Sequence, residues 1–287
     1  MSQKSALILG ATGKVGFDLA RTLISNGWTV HGAARSSNPG RTESAVAAGI
    51  DLVAYDVTRD DPAVLPDVDV LFLEIWDPAN QEQTWETNFY GVARVGERYA
   101  GLAHVVNGCT IGVYGPTAEP ATEDTPCRPT SEYGRSRYAQ ERMIDYFCRK
   151  GGKKGIHIRY AHSNSAQFGT IRRFAEAIDQ GNSLGSGPDA KIQVIAIEDF
   201  VRVTWKSLER ISEPPAIVNC CHPEAWTHRA LAEAIHRRLG RGEIVFDCES
   251  GGHEYSTWAD VTRMMDWFGP PQIPVETLID RVVEDMG

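Results

Sequence analysis

Short apolar segments alternate with longer segments of helical periodicity along the first half of the chain. These apolar segments comprise residues 6–10, 28–34, 50–56, 69–75, 104–108 and 155–161. The first of them is continuously apolar, as expected for a strand buried on both faces of a parallel sheet. Helical patterns cover residues 14–26, 81–101 and 133–150. This alternation predicts an α/β protein with a parallel sheet and right-handed crossovers.

The alternation breaks after residue 162. The remaining predicted elements are helices near 170–180, from about 198, and near 227–239, 257–267 and 275–286, with strands in 191–197 and 215–221. No clean linker separates the two halves, so we expect a second lobe assembled from several inserts. We assign residues 1–165, with a returning segment at about 190–220, to the first domain. Residues 166–189 and 221–287 form the predicted lobe.

Composition narrows the classes of protein that the chain can represent. Its 287 residues carry a formal net charge of -9, which argues against a nucleic-acid partner because such partners favour a basic face. No apolar run approaches the ~18 residues of a membrane span, and the first strand follows the N-terminus without a cleavage-type segment. We therefore expect a cytoplasmic protein with no membrane partner.

The six cysteines do not indicate a metal site. They stand at positions 109, 127, 148, 220, 221 and 248, form no CxxC pair and lack metal-ligand spacing. We expect reduced, mostly buried thiols and no metal.

A glycine motif follows the first predicted strand directly. The segment "GATGKVG" places glycines at positions 10, 13 and 16 before and inside the first helix. Gly10 permits a tight turn, Gly13 lets the backbone approach a pyrophosphate, and Gly16 allows helix and strand to pack closely. This context predicts a dinucleotide site. Its predicted contact residues are Gly10, Thr12, Gly13, Lys14, Val15 and Gly16.

The end of the second strand favours NADP over NAD. An NAD site usually has an acid there for the ribose hydroxyls, but no Asp or Glu lies between Asp18 and Glu43. Arg35 and Ser36, with Arg41 nearby, suit a 2′-phosphate because a guanidinium binds phosphate through two hydrogen bonds and keeps its charge. A solvated loop cation is the alternative reading of Arg35.

Several segments together resemble the extended short-chain dehydrogenase/reductase family, the NAD(P)-dependent epimerase/dehydratase group. They are "GATGKVG", "YDVTRDD", "ETNFYGVARV", "TIGVYGP", "YGRSR" and "IAIEDFVRV". The resemblance covers nearly the whole chain. It implies a Rossmann-type, doubly wound parallel sheet with a small C-terminal α/β substrate lobe. It also implies a homodimer formed through the helices that follow strands four and five.

The resemblance assigns further contacts to the cofactor and to the substrate. Asp56 is expected to accept a hydrogen bond from the adenine amine, with Val57 beside it. Asn88 is expected on the long helix under the sheet edge. Glu74 and Trp76 depart from the usual family segment and are candidate substrate contacts. His162 is another, although a packed or capping histidine is the more common role.

The same resemblance implies a catalytic group of Thr110, Tyr133 and Arg137. Tyr133 corresponds to the tyrosine that exchanges a proton with a substrate hydroxyl or carbonyl, Thr110 to the assisting serine that contacts the substrate, and Arg137 to the usual lysine. Tyr133 and Arg137 are also expected to contact the cofactor, Arg137 by holding the nicotinamide ribose. The structural alternative for Tyr133 is an ordinary aromatic at the start of a helix. Tyr133 and Arg137 share a helix face, one turn apart.

The arginine changes the expected chemistry at one point. A free tyrosine titrates near pH ~10, so bringing its pKa to about 7 requires roughly 4 kcal/mol of phenolate stabilisation. A neighbouring cation supplies part of that energy whether it is lysine or arginine. Arginine holds its proton too tightly to pass one to water. Turnover should therefore be slower if catalysis requires proton relay through residue 137.

We expect an NADP-dependent oxidoreductase that interconverts a carbonyl and a secondary alcohol on a small molecule. One alternative is a nucleotide-sugar epimerase or dehydratase that retains NAD(P). Another is a non-catalytic sensor that binds NADP. The sequence does not specify the substrate.

Overall fold

The computed structural model describes residues 4–35, 37–75, 81–185, 187–247 and 256–287. In chain order, its strands are β1 (Ser5–Leu9), β2 (Thr29–Ala34), β3 (Asp51–Ala54), β4 (Val70–Leu73), β5 (His104–Thr110), β6 (Gly155–Tyr160), β7 (His162–Asn164), β8 (Lys191–Ile192), β9 (Val194–Ala196), β10 (Ala216–Cys220) and β11 (Trp226–Thr227).

The helices alternate with the strands through the first half of the chain and dominate the second half. In chain order, they are α1 (Lys14–Ser25), α2 (Pro39–Ala47), α3 (Gln81–Trp85), a π-helical segment (Glu86–Gly91), α4 (Val92–Tyr99), α5 (Glu132–Gly151), α6 (Thr170–Gln180), α7 (Ile197–Lys206), α8 (His228–Leu239), α9 (Thr262–Phe268) and α10 (Val275–Met286). Among the described residues, no helix has the length and apolar character needed to cross a membrane.

The main sheet has the order β10-β6-β5-β4-β1-β2-β3 in the described chain. β1 pairs in parallel with β2 and β4, β2 with β3, and β4 with β5. The reversal of strand order beside β1 creates the crevice at which doubly wound sheets bind ligands. The predicted Rossmann-type fold is confirmed.

The chain divides into two compact units. Unit 1 contains residues 1–110, 131–159 and 201–218, and unit 2 contains residues 111–130, 160–200 and 219–287. On one face of the sheet in unit 1, Leu7, Leu71 and Leu73 form a buried core with apolar side chains of α4 and α5. In unit 2, α6, α8 and α10 enclose a second apolar core around Phe174 and Ile235.

Helix α5 has clear start and stop signals. Ser131 accepts a hydrogen bond from the Gly134 amide through its side chain at 3.0 Å, which satisfies one of the helix's unpaired N-terminal donors. Gly152 ends the helix in the left-handed conformation, at φ 64°. These caps fix the helix that carries Tyr133 and Arg137.

Several element predictions were incomplete. Helix α2 was not predicted, although Asn38 caps it and Pro39 occupies its first turn. The predicted helix over 81–101 is interrupted by the π-helical segment. The strand expected in 191–197 is split, because β8 pairs with β11 whereas β9 pairs with β7.

The helix predicted over 257–267 starts later than expected, at Thr262. The preceding residues are extended, because Ala121 exchanges backbone hydrogen bonds with Trp258 and Asp260 at 2.9 Å each. Cysteines 109, 127, 148, 220 and 221 are free thiols. Cys248 lies outside the described residues.

Candidate functional site

The glycine turn after β1 is a backbone cradle. Gly10 has φ 88°, and a Cβ built on it would lie 2.4 Å from the Glu74 carbonyl oxygen. A Cβ on Gly16 would lie 2.3 Å from the Gly10 carbonyl oxygen. Larger residues at either position would therefore push β1, β4 and α1 apart.

The start of α1 fits the pyrophosphate of a dinucleotide. Gly13 is the N-cap, no side chain caps the helix, and its first turn holds no acid. The backbone N–H groups of a helix N-terminus attract an anion when no side chain occupies them. Thr12 is half-buried in the turn, Val15 is buried in the core, and Lys14 is exposed at the first helical position.

Cations gather near the ends of β1 and β2. Partial burial, and then the charge of Arg41, lower the pKa of Lys14. Arg35 is exposed directly after β2, while Ser36 lies outside the described residues. The mutual repulsion of Lys14 and Arg41 is a cost that a bound phosphate would relieve.

Asp56 and Val57 are committed to local contacts after β3. Asp56 accepts hydrogen bonds from the Thr58 amide and hydroxyl at 3.0 and 2.7 Å, and from two nitrogens of Arg59 at 2.9 and 2.7 Å. The Val57 carbonyl accepts a hydrogen bond from Arg94. The expected adenine contact of Asp56 would have to use remaining acceptor capacity.

Asn88 links the π-helical segment to α5. Its side chain is fully buried and donates to the Ser136 hydroxyl at 3.2 Å. That hydroxyl donates to the Tyr133 carbonyl at 2.9 Å. In the same region, the Trp85 indole donates to Glu132 at 2.8 Å. π-Helical turns are frequent at functional sites, and this one holds the first turn of α5.

Tyr133 and Thr110 belong to the same unit and to the same edge of its sheet. Thr110 is the last residue of β5, and Tyr133 lies in the first turn of α5. Both side chains are half-buried, so they combine a fixed position with access for a ligand. Parallel strands end at one edge, which places Thr110 on the side of the sheet where the glycine turn lies.

Arg137 reaches the ends of two strands. Its guanidinium donates to the Ile75 carbonyl at 3.0 Å and to the Gly108 carbonyl. The side chain is fully buried. The planar guanidinium is suited to two acceptors at once. The cation at position 137 therefore joins α5 to the carboxyl ends of β4 and β5.

Glu74 lies beside this arginine, at the end of β4. The residue is 4% exposed, and neither carboxylate oxygen has a hydrogen-bond partner among the described residues. Burial raises the pKa of Glu74 to about 8, although the charge of Arg137 opposes the shift. Trp76, predicted with Glu74 to contact the substrate, lies outside the described residues.

A buried ion pair supports α5 further along. Arg159 of β6 donates to both oxygens of Glu141, at 2.9 and 2.7 Å. Burial alone would raise the pKa of Glu141, but the hydrogen bonds from Arg159 hold that pKa at about 2. The Cys109 thiol lies between this pair and Arg137, and burial raises its pKa.

His162 belongs to unit 2, on β7. Its side chain is exposed, and Arg173 and His228 are its charged neighbours. Arg173, Ser183 and His228 also line a cavity of about 350 Å³. This cavity is a candidate substrate pocket of unit 2. Within the described residues, no cluster of His, Cys, Asp or Glu could hold a metal ion.

Sequence reasoning identified Glu74 and Arg137 separately but missed their pairing. It also missed the contact of Glu74 with Gly108, where a built Cβ would lie 2.6 Å from a carboxylate oxygen. The one available signal was an acid at the end of an apolar strand. The Glu141–Arg159 pair was missed as well, although an arginine within a buried strand requires a buried acid.

The sheet order and the glycine turn after β1 are those of an α/β protein of the extended short-chain dehydrogenase/reductase type. A model of the NAD dependent epimerase/dehydratase family matches residues 6–221. The chain belongs to this family.

A curated relative is the putative UDP-glucose 4-epimerase of Methanocaldococcus jannaschii. It is 26% identical over 189 residues, which are 61% of this chain and 59% of the relative. The match thus spans less than two thirds of that protein.

Solved structures resemble the chain over nearly its whole length. The UDP-glucuronic acid 4-epimerase of Bacillus cereus in complex with NAD is 17% identical, with a TM-score of 0.85 and coverage of 98% of this chain and 99% of that one. The UDP-glucose 4-epimerase of Thermotoga maritima with UDP-glucose is 19% identical, with a TM-score of 0.84 and 98% coverage of both chains. At such identities the likeness shows the fold.

Proposed function

We propose that the protein is an NADP-dependent oxidoreductase that interconverts a carbonyl and a secondary alcohol on a small molecule. The observation on which the proposal rests is the position of Tyr133 in the first turn of α5. Arg137 of the same helix bridges the carboxyl ends of β4 and β5, at the edge where β1 leads into the glycine turn. Ligands of doubly wound sheets bind at this edge.

Tyr133 is the proposed acid–base group. Its phenol would give a proton to a substrate carbonyl oxygen or take one from a hydroxyl, and Thr110 would hold that oxygen with a second hydrogen bond. Arg137 cannot give up its proton, so it would act through its field and its position. The nicotinamide, when bound, would supply or accept the hydride.

The preference for NADP is supported by the cations after β1 and β2. Arg35 is exposed where an NAD enzyme usually has an acid, and Lys14 and Arg41 bring two further positive charges into the same region. A 2′-phosphate would bind Arg35 through charge-assisted hydrogen bonds. The NAD found with the solved relatives does not determine the preference of this chain.

Nucleotide-sugar epimerisation or dehydration with a retained NAD(P) is the second candidate. The relatives favour it, because the curated protein and the two epimerase structures act on UDP-sugars by name. The cavity of about 350 Å³ in unit 2 offers room for part of such a substrate. In this version the hydride returns to the sugar.

One experiment separates the two candidates. The purified protein is denatured, and the released nucleotides are identified by mass spectrometry. Absorbance at 340 nm is then followed with NADPH and a panel of carbonyl compounds, and separately with UDP-sugars. Retained NAD(P) with sugar conversion and no net absorbance change would establish the second candidate. Carbonyl-dependent oxidation of NADPH would establish the first.

The Tyr133→Phe variant is the control in both assays, with carbonyl compounds and with UDP-sugars. It removes the hydroxyl and keeps the ring. In the assay in which the wild type is active, the variant is expected to lose conversion of the substrate. A variant that converts substrate as well as the wild type would contradict the assigned role. Binding of NADP without conversion of any compound would favour the sensor alternative.

A homodimer is the proposed assembly. Tyr90 of the π-helical segment and Tyr146 of α5 are 54% and 48% exposed. Aromatic residues are enriched at protein–protein interfaces, and these two lie on the helices that follow β4 and β5. Light scattering coupled to size exclusion tests this, and a monomer at micromolar concentration would contradict it.

A further inference from the structure

Glu74 is a buried carboxylate on which the positive charge of Arg137 acts. An isolated buried carboxylate is costly, and proteins usually surround it with donors. Glu74 is buried without a hydrogen-bond partner among the described residues. The charge that acts on it is that of Arg137. Burial favours the neutral form of Glu74 and the charge of Arg137 favours the ionised form, so both forms of the carboxyl group are accessible.

The space beside Gly108 accommodates the Glu74 carboxylate. Gly108 lacks the side chain that would collide with it, since a built Cβ would lie 2.6 and 3.0 Å from the two carboxylate oxygens. The Gly108 carbonyl accepts a hydrogen bond from Arg137. Gly108 thus lies beside the Glu74 carboxylate and also binds the Arg137 guanidinium through its carbonyl.

We propose that Glu74 is a positioning residue that governs how much of the Arg137 charge acts on Tyr133. Ionised Glu74 offsets the guanidinium, whereas neutral Glu74 leaves its full positive field on the phenol one helical turn away. The proposal rests on the proposed function to the extent that Tyr133 is taken as the acid–base group.

The other charged groups near this helix do not replace Glu74 in that role. Glu141 and Arg159 neutralise each other through two hydrogen bonds. The Cys109 thiol stays protonated because burial raises its pKa. Glu132 and Arg135 pair with each other at the exposed start of α5. Among the described acids next to α5, Glu74 is the buried one whose pKa burial raises, to about 8.

The inference is tested on the protein without substrate, by the ionisation of Tyr133. Phenolate absorbance near 295 nm is titrated in each protein and in its Tyr133→Phe counterpart, and the difference isolates one tyrosine. Glu74→Gln keeps the shape and removes the titration. We expect this variant to lower the pKa of Tyr133 by roughly one unit, because it removes the negative charge that offsets Arg137. Cooperative unfolding of each variant confirms that it is folded.

A second set of variants tests whether the effect of Glu74→Gln on the pKa of Tyr133 depends on Arg137. With Arg137→Met, no cation opposes the effect of burial on Glu74, so we expect Glu74 to stay neutral and the added Glu74→Gln change to leave the pKa of Tyr133 unchanged. If Arg137→Met does not fold, Arg137→Lys replaces it; there Glu74→Gln should still lower the pKa. The matched control is Glu97→Gln on α4, which removes an exposed charge and should have no effect.

Two results would overturn the proposal, and they differ in what else they affect. A low pKa of Tyr133 that Glu74→Gln does not move removes the role of Glu74 and leaves the proposed function intact. An ordinary pKa near ~10 in every variant removes both the role of Glu74 and the proposed activation of Tyr133.

Discussion

Replacing Arg35 by alanine should change cofactor preference. Charge-assisted hydrogen bonds to phosphate contribute about 1.5–3 kcal/mol each. Arg35 is exposed, so the lower end applies because water and salt screen the pair. A loss of about 1.5 kcal/mol weakens NADPH binding roughly tenfold. NADH lacks the 2′-phosphate, so its affinity should remain within about twofold.

The assay is fluorescence titration of both reduced nucleotides at low and moderate salt. NADPH affinity of the wild type should fall with rising salt, and that slope should be smaller in Arg35→Ala. Arg21→Ala is the matched control, because it removes an exposed arginine of α1 outside the proposed phosphate region. Equal weakening of NADPH and NADH in Arg35→Ala, or tighter NADH binding by the wild type, would refute the reasoning.

Three further predictions concern the catalytic edge and its support. Tyr133→Phe should reduce turnover by about 10²–10⁴-fold with little change in cofactor affinity, as measured by steady-state kinetics and titration. Arg159→Met should lower the free energy of unfolding by about 3–5 kcal/mol in urea, because it leaves Glu141 buried without its cation; a loss below about 1 kcal/mol would contradict this. In the wild type, the contribution of the Glu141–Arg159 pair to the free energy of unfolding should be complete above pH 4.5. It should vanish as the pH falls towards 2, since the folded-state pKa of Glu141 is depressed. Gly108→Ala should destabilise by about 1–3 kcal/mol, and Glu74→Ala should relieve part of that loss.

The centre of the sheet of unit 1 could be predicted because β1 and β4 are continuous apolar runs. Residues such as Leu7 and Leu71 are buried in a core on one face, and their neighbours in sequence are buried as well, so no polar alternation obscured the strands. The glycine motif was equally readable, since the positive φ of Gly10 and the close approach at Gly16 each require glycine.

Other features depended on contacts between distant segments. Residues 257–261 have a helical pattern but are extended because Ala121 pairs with them. Gln193 marks the break between β8 and β9, and its buried amide bonds to His222 and Ala259. Local periodicity does not contain such pairings, so tertiary structure overrides it.

The candidate site also combines features that could be predicted from the sequence with features that depend on tertiary contacts. Tyr133 and Arg137 were identified by the resemblance of the segment "YGRSR" to a family motif, and the helix fixes their one-turn spacing. The direction of the Arg137 side chain, towards the carbonyls of Ile75 and Gly108, depends on how α5 packs across the sheet. The charge balance with Glu74 followed only from that packing.

A crystal structure of the protein with NADP⁺ tests the central claim most directly. The measured quantity is the distance from the Tyr133 hydroxyl to the nicotinamide ring. The account predicts that the hydroxyl faces the ring directly or through one bridging water, with the 2′-phosphate at Arg35. A hydroxyl directed away from the ring would contradict it.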